Sequence, residues 1–286
     1  MKNLIIRIIR SLLFRFIGSK NLEYLLIKFA QLAYIDILVL AYNQRGILKY
    51  WNEEVSGEHF VINSIIKKYF QKQEATVFDI GANSGKYAAS LKSAFTNARI
   101  YAFEPNPHTF ELLCNNLKDL NIKCYKLGLS SQISKQKIYT YANEDTSEHA
   151  SLYKDVLLDL HRANDVIEME FETTTLDEFC KMNQIQHINF IKIDTEGHEL
   201  EVLIGASKMI LYNQIDIIQF EFNEMNIISR VFLKDFYEIL NNYNLYRLDS
   251  NRLIPLFSYE SKNEIFQFQN FLAIRKEIEN LNYNLE

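Results

Sequence analysis

The stretch Val77-Phe78-Asp79-Ile80-Gly81-Ala82-Asn83-Ser84-Gly85 has the pattern of a buried strand that turns sharply into a helix. The apolar run at 77–80 is typical of a strand buried on both faces, and the glycines at 81 and 85 let the backbone turn tightly and approach a ligand. A second apolar run ends in Phe103-Glu104-Pro105-Asn106-Pro107. It places an acid about 20 residues beyond the turn, where doubly wound folds bind ribose hydroxyls. Together the two motifs predict a nucleoside cofactor site.

The glycine spacing distinguishes between cofactor classes. A dinucleotide fingerprint, G-x-G-x-x-G, requires glycines where this chain has Asn83 and Lys86. The form D-x-G-x-N-x-G suits a ligand without a pyrophosphate, because Asp79 can orient an ammonium-bearing tail. S-adenosylmethionine has such a tail. The loop therefore favours S-adenosylmethionine, and a nicotinamide-dependent oxidoreductase is the less favoured alternative.

Five motifs in the same order resemble those of the FkbM-type S-adenosylmethionine-dependent methyltransferases. They are DIGANSGKY (79–87), FEPNP (103–107), TTTLDEF (173–179), FIKIDTEGHELEVLIGA (190–206) and IIQFEFN (217–223). The resemblance spans residues 56–275. It implies a class I methyltransferase fold, which is an α/β, doubly wound, mainly parallel seven-stranded Rossmann-like sheet. It also implies methylation of a hydroxyl oxygen, with a sugar of a bacterial surface glycan or related glycoconjugate as the acceptor.

Hydrophobic periodicity supports the same architecture and divides the chain in two. Strand-like runs alternate with helical patterns, which predicts a mainly parallel sheet covered on both faces; the runs lie at 77–80, 99–103, 123–127, 188–193, 216–222, 245–248 and 270–274. The periodicity lapses between Tyr42 and Gly57. We therefore expect a helical N-terminal extension at 1–55 and a methyltransferase domain at 56–286.

Four acids fall at or just past strand ends, namely Asp79, Glu104, Asp194 and Glu221. In a doubly wound sheet these ends meet at the crevice where ligands bind. We assign the first two acids to the cofactor and expect the last two to face the departing methyl group. The predicted cofactor-binding residues are Asp79, Gly81, Ala82, Asn83, Gly85, Tyr87, Glu104, Pro105, Asn106 and Asp194.

Methyl transfer from a sulfonium needs an aligned acceptor, and an alcohol acceptor must also lose its proton. Asp194, His198 and Glu221 are the predicted catalytic residues, and Glu196 is a further candidate base. A magnesium ion bound by Asp194, Glu221 and Asn223 is the alternative way to activate the hydroxyl, because these are oxygen ligands. A non-catalytic S-adenosylmethionine-binding or scaffold protein on the same fold is the competing function class.

Composition restricts the partners and the compartment. A formal charge of −5 and a pI near 5.8 argue against nucleic acid, whose phosphates favour a basic face. Three cysteines form no C-x-x-C pair, which is typical of a reducing compartment. We therefore expect a cytoplasmic enzyme with a glycan or another hydroxyl-bearing small molecule as its acceptor.

Residues 1–20 form the one segment with a strong charge bias, with Lys and Arg at five positions and no acid among many aliphatic residues. This pattern predicts an imperfect amphipathic helix. The uncharged apolar runs are shorter than the ~20 residues of a membrane span, and no signal cleavage site follows. Such a helix either packs against the catalytic domain or a second subunit, or makes peripheral contact with the inner face of a membrane.

Overall fold

The structure of the protein is a computed structural model, and it describes residues 17–70, 74–141, 152–156 and 166–279 with the single positions Arg7, Ser11, Arg15 and Leu158. The strands of these residues are β1 (Thr76–Ile80), β2 (Arg99–Phe103), β3 (Lys123–Tyr125), β4 (Gly128–Leu129), β5 (Ser134–Tyr141), β6 (Val166–Thr174), β7 (Ile188–Ile193), β8 (Ile215–Phe222), β9 (Tyr243–Asp249), β10 (Arg252–Pro255) and β11 (Gln269–Arg275).

Within the described residues, eight of these strands form one sheet in the order β10-β9-β11-β8-β7-β1-β2-β3. The pairs from β3 to β8 are parallel, whereas β11 runs antiparallel to both β8 and β9. The order reverses beside β1, so the doubly wound, mainly parallel fold is confirmed. The hairpin strand β10 extends the expected seven strands to eight. A second sheet has the order β4-β6-β5.

Helices cover both faces of the large sheet. The α-helices are Ser19–Leu32, Ile37–Gln44, Glu53–Ser56, Glu58–Phe60, Lys67–Phe70, Lys86–Ala94, Pro107–Leu117, Leu176–Met182, Glu199–Ile204, Ser207–Leu211, Met225–Ser229, Leu233–Ile239 and Lys276–Glu279, with a π-helical turn at Val61–Ile66 and a 3-10 turn at Ser261–Asn263. Side chains of β1 alternate between two apolar cores: Phe78 and Ile80 join one core, and Val77 joins the other. Asp79 therefore points to the same face as Val77.

The segment that follows the helix Ile37–Gln44 is fixed to the distal strands of the sheet. Ile47 is fully buried and bridges to Gln269 at the start of β11, and the Leu48 N–H donates to the Phe268 carbonyl at 2.8 Å. Gly46 is required by close packing, because a Cβ there would lie 2.1 Å from the Leu248 carbonyl oxygen. The division between 55 and 56 stays a prediction, since these contacts tie residues upstream of it to the catalytic sheet.

The helices Ser19–Leu32 and Ile37–Gln44 leave most of their apolar side chains in solvent, and Ala30 is the residue they bury. Across the described part of the chain, no single helix has the length and apolar character to cross a membrane. These two helices, bent by 105° at their break, would meet that requirement together by length and composition only. Most of the helix predicted at 1–20 lies outside the described residues.

Candidate functional site

A row of polar residues crosses three central strands on one face of the sheet. Asp79 of β1 pairs in register with Lys192 of β7, which in turn pairs with Gln219 of β8. All three side chains are buried. The Tyr87 hydroxyl closes the row by donating to Gln219 Oε1 at 3.0 Å. Buried polar groups in the middle of a sheet are costly, so this row is a candidate for function.

Lys192 is the cation at the centre of this row. Its Nζ donates to Asp194 Oδ2 at 2.7 Å, lies 3.8 Å from Glu58 Oε1 and sits 4.9 Å from the centre of the Tyr87 ring. Burial lowers the pKa of Lys192, but the carboxylates of Asp194, Glu58 and Asp79 outweigh burial and raise it well above its ordinary value. Lys192 therefore stays protonated and offsets part of the surrounding negative charge.

Asp79 has only a weak donor among the described residues, the backbone N–H of Ala88, which lowers its pKa slightly. Its carboxylate is fully buried, and neither oxygen accepts a hydrogen bond of good geometry from the described residues. Burial raises the pKa of Asp79 to about 6, with help from nearby Asp194 and Glu58 and against the effect of Lys192. A buried carboxylate without a strong donor costs free energy unless a ligand supplies one. The ammonium group of S-adenosylmethionine fits this requirement.

Glu104 is held in place by two backbone donors. The Asn83 N–H donates to Oε2 at 3.0 Å and the Asn106 N–H donates to Oε1 at 2.9 Å. The Asn106 side chain caps the helix Pro107–Leu117, since its Oδ1 accepts from the His108 N–H at 3.0 Å. Burial raises the pKa of Glu104 to about 7. Asn83 and Asn106 therefore orient the acid through their backbones.

Two adjoining cavities contain most of the predicted site. A cleft of about 1030 Å³ is lined by Asp79, Tyr87, Lys192, Glu221 and Asn223, among others. A smaller pocket of about 90 Å³ is lined by Glu104, Pro105, Leu127, Leu129 and His198, among others. Both cavities share the residues Gly81, Asn83, Asp194 and Glu196. A ligand that extends from one cavity into the other must pass beside Asp194.

The glycines of the β1 loop serve packing as well as turning. A Cβ on Gly81 would lie 1.7 Å from the Asp194 carbonyl oxygen, and one on Gly85 would lie 2.8 Å from Leu113. Both glycines have positive φ, 79° and 83°. Glycine is therefore needed at these two positions for packing, because the loop must fit closely against the end of β7 and the helix Pro107–Leu117. This reason is separate from the approach of a ligand to the backbone. Ala82, between them, is buried.

His198 lies on the side of the smaller pocket, directly before the helix Glu199–Ile204. Its Nε2 shares a hydrogen bond with Ser130 Oγ at 3.0 Å, and burial lowers its pKa to about 4. The ring is therefore neutral near pH 7. His198 lines the same pocket as Glu104, whereas Glu221 lines the cleft.

The predicted magnesium ligands do not fit a metal as they are arranged. Asn223 Oδ1 already accepts from the Met225 N–H at 2.8 Å, and Asn223 Nδ2 donates to Glu221 Oε1. Burial, followed by repulsion from Asp194, raises the pKa of Glu221 well above its ordinary value. Nor do the described residues contain a group of three His, Cys, Asp or Glu that could hold a metal ion. The structure does not support the magnesium trio.

Three further residues shape the site and were missed from the sequence. Lys192 interrupts the apolar strand 188–193, which is a signal that sequence reasoning could have used. Glu58 carried no such signal, because it reaches Lys192 from a distant helix. Glu199 holds the loop after β7: its Oε1 accepts from the Thr195 N–H at 2.8 Å, and burial raises its pKa to about 7. The position of this loop therefore depends on a buried acid.

Residues 79–285 match the family model described as the methyltransferase FkbM domain, which is nearly three quarters of the chain. The chain belongs to the FkbM methyltransferase family. This FkbM chain is 29% identical over 159 residues to the hexuronic acid methyltransferase AglP of Haloferax volcanii, covering 54% of this chain and 58% of AglP. It is 20% identical over 150 residues to the 2-O-methyltransferase NoeI of Sinorhizobium fredii, covering 50% of this chain and 62% of NoeI.

The FkbM chain therefore spans about three fifths of the length of these relatives. Solved structures resemble it more distantly. The precorrin-6y C5,15-methyltransferase of Geobacter metallireducens superposes with a TM-score of 0.40 at 12% identity, covering 80% of this chain and 92% of that chain. The plantazolicin methyltransferase BpumL gives a TM-score of 0.41 at 10% identity, covering 76% of this chain and 82% of that chain.

Proposed function

We propose that this protein is an S-adenosylmethionine-dependent O-methyltransferase that acts on a hydroxyl of a sugar in a glycan or related glycoconjugate. The observation that carries the proposal is the buried carboxylate of Asp79, whose oxygens accept no hydrogen bond of good geometry from the described residues, beside the fixed carboxylate of Glu104. Membership of the FkbM family and similarity to AglP and NoeI support the sugar acceptor.

Each part of the cofactor has a matching group in the protein. Asp79 suits the ammonium, Glu104 suits the ribose hydroxyls, and the apolar wall of the smaller pocket at Leu127 and Leu129 suits the adenine ring. The bound cofactor would supply a methyl group on a sulfonium, from which a neutral thioether is a good leaving group. Surrounding acids favour this cationic ligand, because buried carboxylates without a counterion repel one another.

Asp194 is the residue that we propose as the general base. It lines both cavities, so an acceptor hydroxyl placed next to the methyl group would contact it. Lys192 Nζ donates to Asp194 Oδ2 at 2.7 Å, so Asp194 Oδ1 is the oxygen that would accept the proton of the acceptor hydroxyl. Glu221, whose pKa is raised, is suited to donate a hydrogen bond that orients the acceptor. His198 lines the smaller pocket, which we assign to the cofactor, and is not the proposed base.

The test separates cofactor binding from turnover. We expect titration calorimetry to detect S-adenosylmethionine binding and no NAD binding; the reverse result would favour the oxidoreductase. Mass spectrometry of glycans from cells with and without the gene should reveal the loss of one methyl group. Asp194→Asn should lose turnover by about 10²-fold or more, with its cofactor affinity measured separately. Wild-type turnover in this variant would remove Asp194 as the base, and cofactor binding with no methylated product would favour the scaffold class.

We also propose that residues 1–45 hold the protein at an anionic membrane surface on the cytoplasmic side. This segment has seven Lys or Arg and two acids, a formal charge of +5, which leaves −10 for the remainder of a chain with net charge −5. Apolar side chains of its described helices, such as Leu26 and Phe29, lie in solvent and do not pack on the domain. Basic, apolar helices with aromatic residues bind membrane interfaces.

Vesicle co-sedimentation tests the membrane proposal. We expect binding to vesicles with anionic lipid and weaker binding after the double substitution Leu26→Glu, Phe29→Glu. Leu211→Glu is the matched control, because Leu211 is equally exposed on the catalytic domain. The proposal is wrong if the protein does not bind anionic vesicles. If, in addition, sedimentation shows a dimer for the wild type and a monomer for the double variant, a second subunit covers this surface instead.

A further inference from the structure

We propose that Tyr50, Trp51 and Phe268 form an aromatic platform that stacks against an uncharged pyranose ring of the acceptor. The platform lies in the large cleft together with Asp194 and Glu221, and it does not line the smaller pocket. This inference rests on the proposed methyl transfer to a sugar. It identifies the surface that holds that sugar and limits the charge the sugar can carry.

The three rings form a contiguous surface at the cleft. The centroids of Tyr50 and Trp51 are 5.4 Å apart at an interplanar angle of 47°, and those of Tyr50 and Phe268 are 6.0 Å apart, edge to face. Trp51 is 65% exposed and Tyr50 is 58% exposed, although both border a cavity large enough for a ligand. Large aromatic faces that are exposed to solvent at the edge of a cleft favour ligand binding, because a ligand that covers them removes apolar surface from water.

The platform is held rigidly from both sides. On one side, the backbone pairing of Leu48 with Phe268 joins the two chain segments directly beside the rings. On the other, Asn52 caps the helix Glu53–Ser56, since its Oδ1 accepts from the Val55 N–H at 2.9 Å. A fixed stacking surface loses little conformational entropy when a ligand binds, which favours affinity.

The shape and charge of the cleft define the ligand. One face of a pyranose presents C–H groups that pack on the electron-rich face of an aromatic ring, while the hydroxyls at its edge need polar partners. The cleft supplies these in acidic form: Glu53, Glu54, Glu196 and Glu224 line it, together with Asp194 and Glu58, which face Lys192, and with Glu221, whose raised pKa favours its neutral form. Lys192 is already paired with Asp194. An acidic sugar would face repulsion, so the ring that binds here is uncharged.

Trp51 makes the platform directly observable, because it is the single tryptophan of the chain. Its fluorescence is recorded while protein saturated with S-adenosylhomocysteine is titrated with methyl glycosides of neutral hexoses and, separately, with hexuronates. We expect a saturable change with at least one neutral glycoside. No change with any neutral glycoside, or a change with hexuronates only, would overturn the proposal. So would a response to S-adenosylhomocysteine alone, because it would place the cofactor on the rings.

Kinetics with a glycan acceptor provide the second measurement. Trp51→Ala should raise KM for the acceptor about tenfold, equivalent to about 1.4 kcal/mol, while KM for the cofactor stays unchanged. Trp51→Phe should recover most of the loss because it retains an aromatic face. Tyr212→Ala is the matched control, since Tyr212 is 68% exposed and lies outside both cavities. An unchanged acceptor KM in Trp51→Ala would contradict the platform.

The two proposals fail in different ways. If calorimetry detects no S-adenosylmethionine binding, the methyltransferase function fails whatever the sugar titration gives. If the cofactor binds and methyl transfer proceeds while Trp51 responds to no neutral sugar, the function stands and the platform is wrong.

Discussion

The cofactor half and the acceptor half of the site are built in different ways. Glu104 is oriented by Asn83 and Asn106, all within two short motifs. The acceptor half combines the segment at 50–58, the end of β8 and the start of β11. Local motifs that must hold one cofactor can be shared by a whole family, whereas a wall assembled from distant segments can change with the acceptor. The family model begins at residue 79 and so omits the platform residues Tyr50 and Trp51.

The largest effect is expected at Lys192, which joins the two halves. Lys192→Met leaves the carboxylates of Asp194, Glu58 and Asp79 without their cation, and should lower the free energy of unfolding by about 3–5 kcal/mol. Urea unfolding measures this loss. Lys208→Met, at an exposed lysine, is the control. If Lys192→Met were as stable as the control, the two halves would be independent, and the charged row would not connect them.

Asp79 tests the cofactor half alone. Asp79→Asn removes the carboxylate while preserving its size, and should weaken S-adenosylmethionine binding about 100-fold, or about 2.7 kcal/mol, because a charged contact to the ammonium is lost. Calorimetry gives the affinity, and Glu111→Gln, on the exposed side of a helix, is the control. Affinity equal to that of the control would mean that the ammonium binds elsewhere.

The pH dependence of stability also reports on the cofactor half. The folded protein raises the pKa of Asp79 to about 6 and of Glu104 and Glu199 to about 7, so it binds more protons than the unfolded chain. The stability they contribute is present at low pH and is lost as pH rises through those values. Burial lowers the pKa of His198 from 6.5 to about 4, so this residue makes stability rise with pH. Its effect is confined to pH values below its ordinary pKa and therefore does not affect the range above it.

Without ligand, the free energy of unfolding should therefore fall on the order of 2 kcal/mol between about pH 6 and about pH 8. Denaturant titrations across this range measure the slope, and Glu104→Gln should flatten it. A flat profile would indicate that these acids are ionised in the folded protein already at the lower pH, and a slope of the opposite sign would contradict their raised pKa values.

The smallest effect is expected at His198, which we place on the cofactor side. His198→Gln keeps a hydrogen-bonding group near Ser130 and should change kcat by less than about threefold, because the ring does not take the acceptor proton. Loss of a general base costs about 10²–10⁴-fold in kcat. A decrease of that size would move His198 into the acceptor half and displace Asp194 as the base.

Sequence patterns predicted the parts of the molecule that depend on local order. The alternation of apolar runs predicted the parallel sheet, and the strand-end positions of Asp79, Glu104, Asp194 and Glu221 placed them beside the cavities. β10 was missed because Arg252–Pro255 is a short edge strand with exposed ends. The spacing of residues in the sequence does not reveal whether a side chain is already engaged in hydrogen bonds within the protein. Asn223 has the position of a metal ligand, yet it donates to Glu221 and accepts from the turn that follows.

The pairing of Ile47 with Gln269 has a consequence for how the protein is made. Chains emerge from the ribosome N-terminal end first, and contacts between distant residues must wait for the later one. Strands β1 and β2, with Asn83 and Glu104, can associate early in synthesis. Tyr50 and Trp51 gain their neighbour Phe268 only when synthesis reaches β11. The wall that we propose for the acceptor is therefore the last part of the site to form.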